Sequence, residues 1–560
     1  MIVRMDGSGD QVEAASRRRF GKRPRVIGGG AAVVALALAA GMVIADDGPA
    51  GIAAPYGCGA GGVHSTASSP APDRPAPDRP APDRPAPDRP APDRPAPDRP
   101  APDRPAPDRP APDGAADFDG DGHPDLALGS MGDVPGGYGG GSVAVAYGAG
   151  DGTGIARCQY LTQDDPGIPG ANRDEAFFGS DVVARDLDGD GYTDLAASVF
   201  DWKPSVIIMW GSEGGLSRGV RVPGTDGSHV AWGDDPLLDE QLVGGDFDGD
   251  GHPDLIFGLG SGKGLLKGPF ERDGTPAGTG PVPAPRRPAP HVRHANYDDL
   301  LAGDLDGDGI DDLVSFHDAD TGPEVPWRDR TQPVSYLRGG RDGFTQPRDT
   351  RLPDAGEGAI GDVDGDGVDD LVLSPRGGDA SRSSVTVVYG TQDGPRARRT
   401  TTVDRDTPGV PGAEPQDEDA VLTSLATGDV NGDGYADVVA GAPRWDVYGE
   451  PGPEEVLFLA GGPDGLSGEG ARLFDGDDLG AAPGGDANFG AAVGLTDLDG
   501  DGHADLVVTA PGSDTVDGVA YLLPGTANGP ATQGVTRLSG DAFDDTEGLG
   551  LLMGGGEVAL

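Results

Sequence analysis

One phrase recurs seven times in this chain. It reads DFDGDGHPDL at Asp117–Leu126, then RDLDGDGYTDL, GDFDGDGHPDL, GDLDGDGIDDL, GDVDGDGVDDL, GDVNGDGYADV and TDLDGDGHADL. Its first Asp falls at 117, 186, 246, 304, 362, 429 and 497, with intervals of 69, 60, 58, 58, 67 and 68 residues. A repeated unit that cannot bury its apolar face alone must stack on its copies, so the period constrains the architecture before any single residue does. The interval is long for a solenoid turn and fits one four-stranded propeller blade with its loops.

Strand signals flank each phrase. DLALGS, DLAASVF, DLIFGL, DLVSF, DLVLSP, DVVAGAP and DLVVTAP follow directly, short apolar runs rich in Val, Leu and Ile. VAVAYGAGDG from Val143, VIIMWGSEGG from Val206, VSYLRGGRDG from Val334, VTVVYGTQDG from Val385, VLFLAGGPDG from Val456 and VAYLLPGTANG from Val519 each run a strand into a Gly-rich turn. No long stretch has helical periodicity. Each repeat is therefore expected to hold about four strands.

Within the phrase, carboxylates stand at positions 1, 3, 5 and 9, and glycines at 4 and 6 permit a sharp turn. The residues are Asp117, Asp119, Asp121 and Asp125, with His123 at position 7; Asp186, Asp188, Asp190 and Asp194, with Tyr192; and Asp246, Asp248, Asp250 and Asp254, with His252. They continue with Asp304, Asp306, Asp308 and Asp312, with Ile310; Asp362, Asp364, Asp366 and Asp370, with Val368; Asp429, Asn431, Asp433 and Asp437, with Tyr435; and Asp497, Asp499, Asp501 and Asp505, with His503. Alternate residues of a tightly curved loop can point inward together. Four carboxylates plus the backbone carbonyl of position 7 form a hard oxygen cage suited to Ca²⁺, whereas zinc calls for His or Cys. Ile310 and Val368 cannot ligate through their side chains, so a backbone ligand explains the variation at position 7. An EF-hand is excluded: position 12 is Leu128 or Val508 instead of an acid, and strands, not helices, flank the loop. The seven loops hold 27 Asp and one Asn, which repel one another strongly without cations. Up to seven Ca²⁺ are expected, moving the formal charge from -52 to -38.

That charge, from 94 acidic against 42 basic residues, argues against nucleic acid or an anionic membrane as partners. Two cysteines, Cys58 and Cys158, exclude a disulfide framework and leave one bridge possible.

The N-terminal part reads differently. Ser16–Lys22 (SRRRFGK) precedes the apolar run Val26–Ala45, which resembles a twin-arginine export signal, with Gly21 where an apolar residue is usual. A general secretory signal and an uncleaved membrane anchor are the alternatives, since 20 apolar residues can span a bilayer. Residues 1–45 are thus signal or anchor, 46–69 a linker, and 70–114 a stalk of PAPDR units. Pro at every second or third position removes donors and holds an extended, semi-rigid, net-neutral spacer. Residues 115–560 form the seven-repeat region.

Phe178-Gly179 and Phe489-Gly490 precede the phrase in two repeats, and Gly441-Ala442-Pro443 and Thr509-Ala510-Pro511 follow it in two. With the acidic loops, these resemble FG-GAP (VCBS) repeats, the units of the integrin α-subunit head and of bacterial integrin-like secreted proteins. The resemblance covers about residues 117–560 and weakens at repeats three and four. It implies an all-β fold, a seven-bladed β-propeller with calcium-binding loops, here preceded by a signal segment and a disordered Pro-rich stalk. The C-terminal LGLLMGGGEVAL (Leu549–Leu560) is similar to FGAAVGLTDLDG (Phe489–Gly500), with Glu557 at the place of the first metal Asp. It is expected to supply the missing first strand of blade 1 and close the ring.

Enzyme motifs are scarce. GLGSGKG (Gly258–Gly264) has Gly264 where a phosphate loop needs Ser or Thr, and no G-x-S-x-G or H-E-x-x-H is present. The expected function is that of a secreted or surface-tethered calcium-binding adhesion or recognition module. It would act as a monomer on an extracellular protein or carbohydrate and would touch membrane only through an uncleaved N-terminal segment. The alternative is a secreted polysaccharide- or phosphodiester-cleaving enzyme. Candidate ligand-contacting residues are Trp327, Trp445 with Tyr448, and the 273–296 loop.

Overall fold

The computed structural model describes residues 63–65, 115–130, 140–149, 154–173, 176–199, 205–223, 225, 242–259, 262–283, 297–317, 333–347, 350–375, 384–412, 422–443, 454–480, 488–510, 518–539 and 558–559. The export segment, the PAPDR run, Cys58, Trp327, Trp445, Tyr448 and residues 284–296 lie outside them. Among the described residues there is no α-helix, one 3-10 turn at Asp477–Leu479, and strands in seven sheets.

A short strand, β1 (Val63–Ser65), lies within the expected linker. Blade 1 contains β2 (Leu126–Ser130), β3 (Ser142–Ala149) and β4 (Gly154–Leu161). Blade 2 follows with β5 (Val182–Arg185), β6 (Asp194–Val199), β7 (Ser205–Met209) and β8 (Gly219–Arg221). Blade 3 has β9 (Leu242–Gly245), β10 (Asp254–Leu259), β11 (Gly262–Phe270) and β12 (Pro276–Pro281). Blade 4 has β13 (Tyr297–Gly303), β14 (Asp312–His317) and β15 (Val334–Leu337). Blade 5 has β16 (Ala355–Gly361), β17 (Asp370–Pro375), β18 (Val385–Val388) and β19 (Thr400–Val403). Blade 6 has β20 (Ser424–Gly428), β21 (Asp437–Ala442), β22 (Glu455–Leu459) and β23 (Arg472–Asp475). Blade 7 has β24 (Val493–Thr496), β25 (Asp505–Ala510), β26 (Val519–Leu523) and β27 (Thr536–Ser539). The last strand is β28 (Val558–Ala559). Strands within each sheet pair antiparallel in chain order, except that β28 joins blade 1 and β1 joins blade 7.

The expected all-β, seven-bladed propeller is the fold. Its core is split into packets between neighbouring blades. One packet joins blades 1 and 2, and others follow at each seam, including the one between blades 7 and 1. This explains why the strands read as continuous apolar runs. On β25, Leu506, Val508 and Ala510 pack toward blade 6, while Val507 between them packs toward blade 1. A sheet sandwiched between two others has no solvated face, and the period-2 alternation simply distributes apolar side chains to two neighbours.

The ring closes through the C-terminal strand, as expected, but in another register. Val558 pairs with Leu128 and Ala559 with Ala127. Val493 and Gly494 hold the corresponding places opposite Val508 and Val507 in blade 7. Glu557 therefore precedes the strand instead of taking the first metal-Asp position. The Gly554–Gly556 run has no side chains to set register, so sequence similarity alone misplaced it. First strands of successive blades contact one another from β5 to β24, and β28 lies against β5.

Two further departures concern edges. Blade 4 keeps three strands, its fourth reduced to a bridge between Arg338 and Thr345, and the following Pro347 and Pro353 remove ladder donors there. Blade 7 gains a fifth strand, because β1 pairs with β27, Val63 opposite Leu538. Cys158, buried on β4, is disulfide-bonded, and Cys58 is the chain's other cysteine. The short strand β1, before the PAPDR run, is thus paired to the outer edge of blade 7.

Candidate functional site

Each acidic phrase leads into the second strand of its blade, and in blades 2 to 7 it forms the loop between the first and second strands. Both loop glycines have positive φ throughout, for example Gly120 at 68° and Gly122 at 86°. The backbone then wraps around the first carboxylate. Asp117 Oδ1 accepts from the amides of Gly120 and Asp121, and Oδ2 accepts from Gly122 at 3.0 Å. Asp121 Oδ1 accepts from the amide of His123 at 2.9 Å. The same bonds hold Asp246, Asp304, Asp362, Asp429 and Asp497 on the amides of positions 5 and 6.

Position 9 ties the loop to the third strand. Asp125 Oδ2 accepts from Phe118 and Oδ1 from the amide of Gly148. The equivalent aspartates accept from Gly211, Gly268, Gly339, Gly390, Gly461 and Gly525. With no cation beside them, burial pushes the Asp194 carboxyl up to about 8 and those of Asp254, Asp312, Asp370, Asp437 and Asp505 to about 7. Burial likewise holds Asp125 well above the ordinary carboxylate range.

Carboxylate oxygens converge in these loops. Asp117, Asp119 and Asp125 each place one within 4.8 Å of the others, as do Asp186, Asp188 and Asp194, and Asp362, Asp364 and Asp370. In blades 3 and 4 the converging sets are Asp246, Asp248 and Asp250, and Asp304, Asp306 and Asp308. Several inward oxygens have no hydrogen-bond donor: Oδ1 of Asp188, Asp248, Asp306, Asp364 and Asn431. Buried acceptors left unpaired are costly, and an all-oxygen set of this kind fits a hard divalent cation such as Ca²⁺. The side chains of positions 1, 3, 5 and 9 would hold the ion, with the carbonyl of position 7 as the added ligand.

The loops are also joined to one another, which sequence reading missed. The apolar residue at position 2 plugs the seam to the next blade: Phe118, Leu187, Phe247, Leu305, Val363, Val430 and Leu498 are all buried. The position-7 side chain lies over the first loop glycine of the preceding blade. A Cβ on Gly120 would come 2.5 Å from Tyr192, on Gly249 2.7 Å from Ile310, and on Gly432 2.5 Å from His503. His123 closes the circle over Gly500. Position-8 amides of Thr193, Asp311, Asp369, Ala436 and Ala504 donate to the position-1 carbonyl of the preceding blade. Pro124 and Pro253 have no amide to give at the other two seams. Position 2 had a signal in its uniform apolarity; positions 7 and 8 vary too much to have one.

Gly432→Ala is therefore expected to destabilise the protein by roughly 2 kcal/mol, through positive φ and collision with His503. Gly434→Ala, at φ +88° with open space around its Cβ, isolates the backbone part and is expected to cost about 1 kcal/mol. Urea denaturation of both variants gives the comparison, and equal losses would remove the loop-to-loop contact from the account.

GLGSGKG falls where β10 ends at Leu259 and β11 resumes at Gly262, so it belongs to a hairpin. A cleft of about 460 Å³, lined by Arg338, Thr345, Gln346, Thr350, Asp393 and Arg396, opens between blades 4 and 5, and no sequence signal announced it.

These features define a seven-bladed propeller with an acidic, glycine-pivoted loop leading into the second strand of each blade. Comparison with known proteins places that class. Residues 421–456 and 489–523, in blades 6 and 7, match the FG-GAP repeat. A 133-residue stretch, 24% of this chain, is 33% identical to integrin alpha-4 of Xenopus laevis, and it spans 12% of that protein. Two of this chain's repeats are similar to FG-GAP repeats, and the seven-bladed fold fits an integrin-like FG-GAP propeller. Among solved structures, one concerns recognition of non-reducing terminal N-acetylglucosamine by an Agrocybe aegerita lectin. It is 14% identical, covers 74% of this chain and 89% of that one, and has a TM-score of 0.39. The Photorhabdus luminescens Tc holotoxin pore is 17% identical over 71% of this chain and 18% of its own, with a TM-score of 0.29. Overlaps this low say nothing about function.

Proposed function

We propose that this protein is an exported, calcium-bound recognition module that uses the propeller as a rigid platform for adhesion to an extracellular protein or carbohydrate, and that it is not an enzyme. The observation that carries the reading is the repetition of one all-oxygen loop around a closed ring, with buried carboxylate oxygens left without donors. Cations neutralise the loops and stiffen the seams; partner contacts fall on the connections between strands and blades. The integrin-like relationship supports an extracellular or surface setting. The signal-like residues 1–45 support export, and the PAPDR run supports a spacer role.

The test is a binding screen of the purified full chain against glycans and envelope proteins, with and without chelator. Saturable, calcium-dependent capture without chemical change to the ligand is expected. Turnover of a polysaccharide or phosphodiester would overturn the reading in favour of a hydrolase.

A further inference from the structure

The residue before the glycine that donates to the position-9 Asp shows a regularity. In chain order it is Tyr147, Trp210, Lys267, Arg338, Tyr389, Ala460 and Pro524. In blades 3 and 4 that residue is itself a cation. Lys267 Nζ lies 2.5 Å from Asp248, and Arg338 reaches Asp306 at 2.5 Å and Asp308 at 2.7 Å. In blades 1, 2 and 5 it is an aromatic ring that carries an arginine. Arg157 lies 4.9 Å from the Tyr147 ring centroid, Arg272 5.1 Å from Trp210, and Arg399 4.5 Å from Tyr389. Those arginines pair with Asp119, with Asp188 and Asp190, and with Asp364 and Asp366. In blades 6 and 7 the residue is Ala or Pro, and among the described residues no Lys or Arg pairs with either loop.

The cations meet the third-position aspartate, whose carboxylate faces the loop interior. Side-chain exposure is 0% for Asp306, 2% for Asp119 and 4% for Asp364, whereas the basic partners are 28% to 51% exposed. A flexible, half-solvated cation on a buried carboxylate can be displaced by a divalent ion at modest cost, because water takes up the freed head group. Resting on the calcium reading above, we propose that Arg157, Arg272, Lys267, Arg338 and Arg399 are built-in counter-ions that compete with calcium in blades 1 to 5. The seven loops then form two classes. Blades 6 and 7 depend on the metal, and the other five hold a side-chain substitute. Blades 6 and 7 are also the two that match the family's repeat pattern. Such a division lets most of the ring fold where calcium is scarce and load later.

Calorimetric calcium titration of the chelated full chain tests this. The expected result for the unmodified protein is two tight sites and a weaker group. Arg338→Met is expected to move one weak site roughly tenfold tighter and to lower the melting temperature of the chelated form, whereas Arg338→Lys keeps both values. Lys267→Met provides a second blade should the Arg338 variant fold poorly. Seven equivalent sites, or unchanged affinity in both Met variants, would overturn the counter-ions and leave the calcium reading standing. No uptake at millimolar calcium would overturn both.

Discussion

Removal of divalent cations is expected to lower the melting temperature by about 10 °C or more. A site held at a thousandfold its Kd contributes about 4 kcal/mol, and a propeller of this size shifts by roughly 1 °C per kcal/mol. Two metal-dependent loops alone thus account for a shift of that order, and the remaining loops add to it. The effect should carry a pH signature. Without a cation, burial raises the position-9 carboxyls of blades 2 to 7 to about 7 to 8, above the unfolded value of about 3.9. Between those values the native state binds more protons than the unfolded one. The stability of the chelated protein therefore rises as pH falls from 8 toward 5. The loaded protein behaves oppositely, since protons compete with the metal for the same oxygens. Melting curves with and without calcium at pH 8, 7, 6 and 5 should converge as pH drops; parallel curves would remove the metal from the stability account.

Deleting Gly548–Leu560 is the second large effect. It removes β28, leaves the edge of β2 unpaired and opens the seam where Leu126, Leu128, Val507 and Leu522 pack. Every other seam is bounded by intact blades, so damage at this one converts a ring into an open array with two edges. A drop of about 10 °C or more, together with concentration-dependent aggregation, is expected in thermal melts followed by light scattering. The disulfide at Cys158 and the pairing of β1 with β27 lie at the same seam, so the truncated protein should be more sensitive to reductant than the full chain. An unaltered melt would mean that β28 does not hold the ring.

Much of this was legible beforehand, and for a physical reason. Positions 1, 3, 5 and 9, the two glycines and the following strand lie within a dozen residues, so their geometry is local. The period then revealed how many times that geometry is built. Blade 4 was harder, because its outer strand depends on what Pro347 and Pro353 prevent. The closing strand was found by similarity, yet its register was not, because a glycine run gives pairing no side chains to align.

Local sequence determined the blades, the loops and the chemistry of their oxygens, because neighbours in the chain are neighbours in space over such short spans. Tertiary structure alone decided that Tyr192 covers Gly120, that His123 covers Gly500, and that Arg272 of blade 3 reaches the loop of blade 2. Those contacts join residues tens to hundreds of positions apart, and they exist only because closing the ring brings each blade against the next.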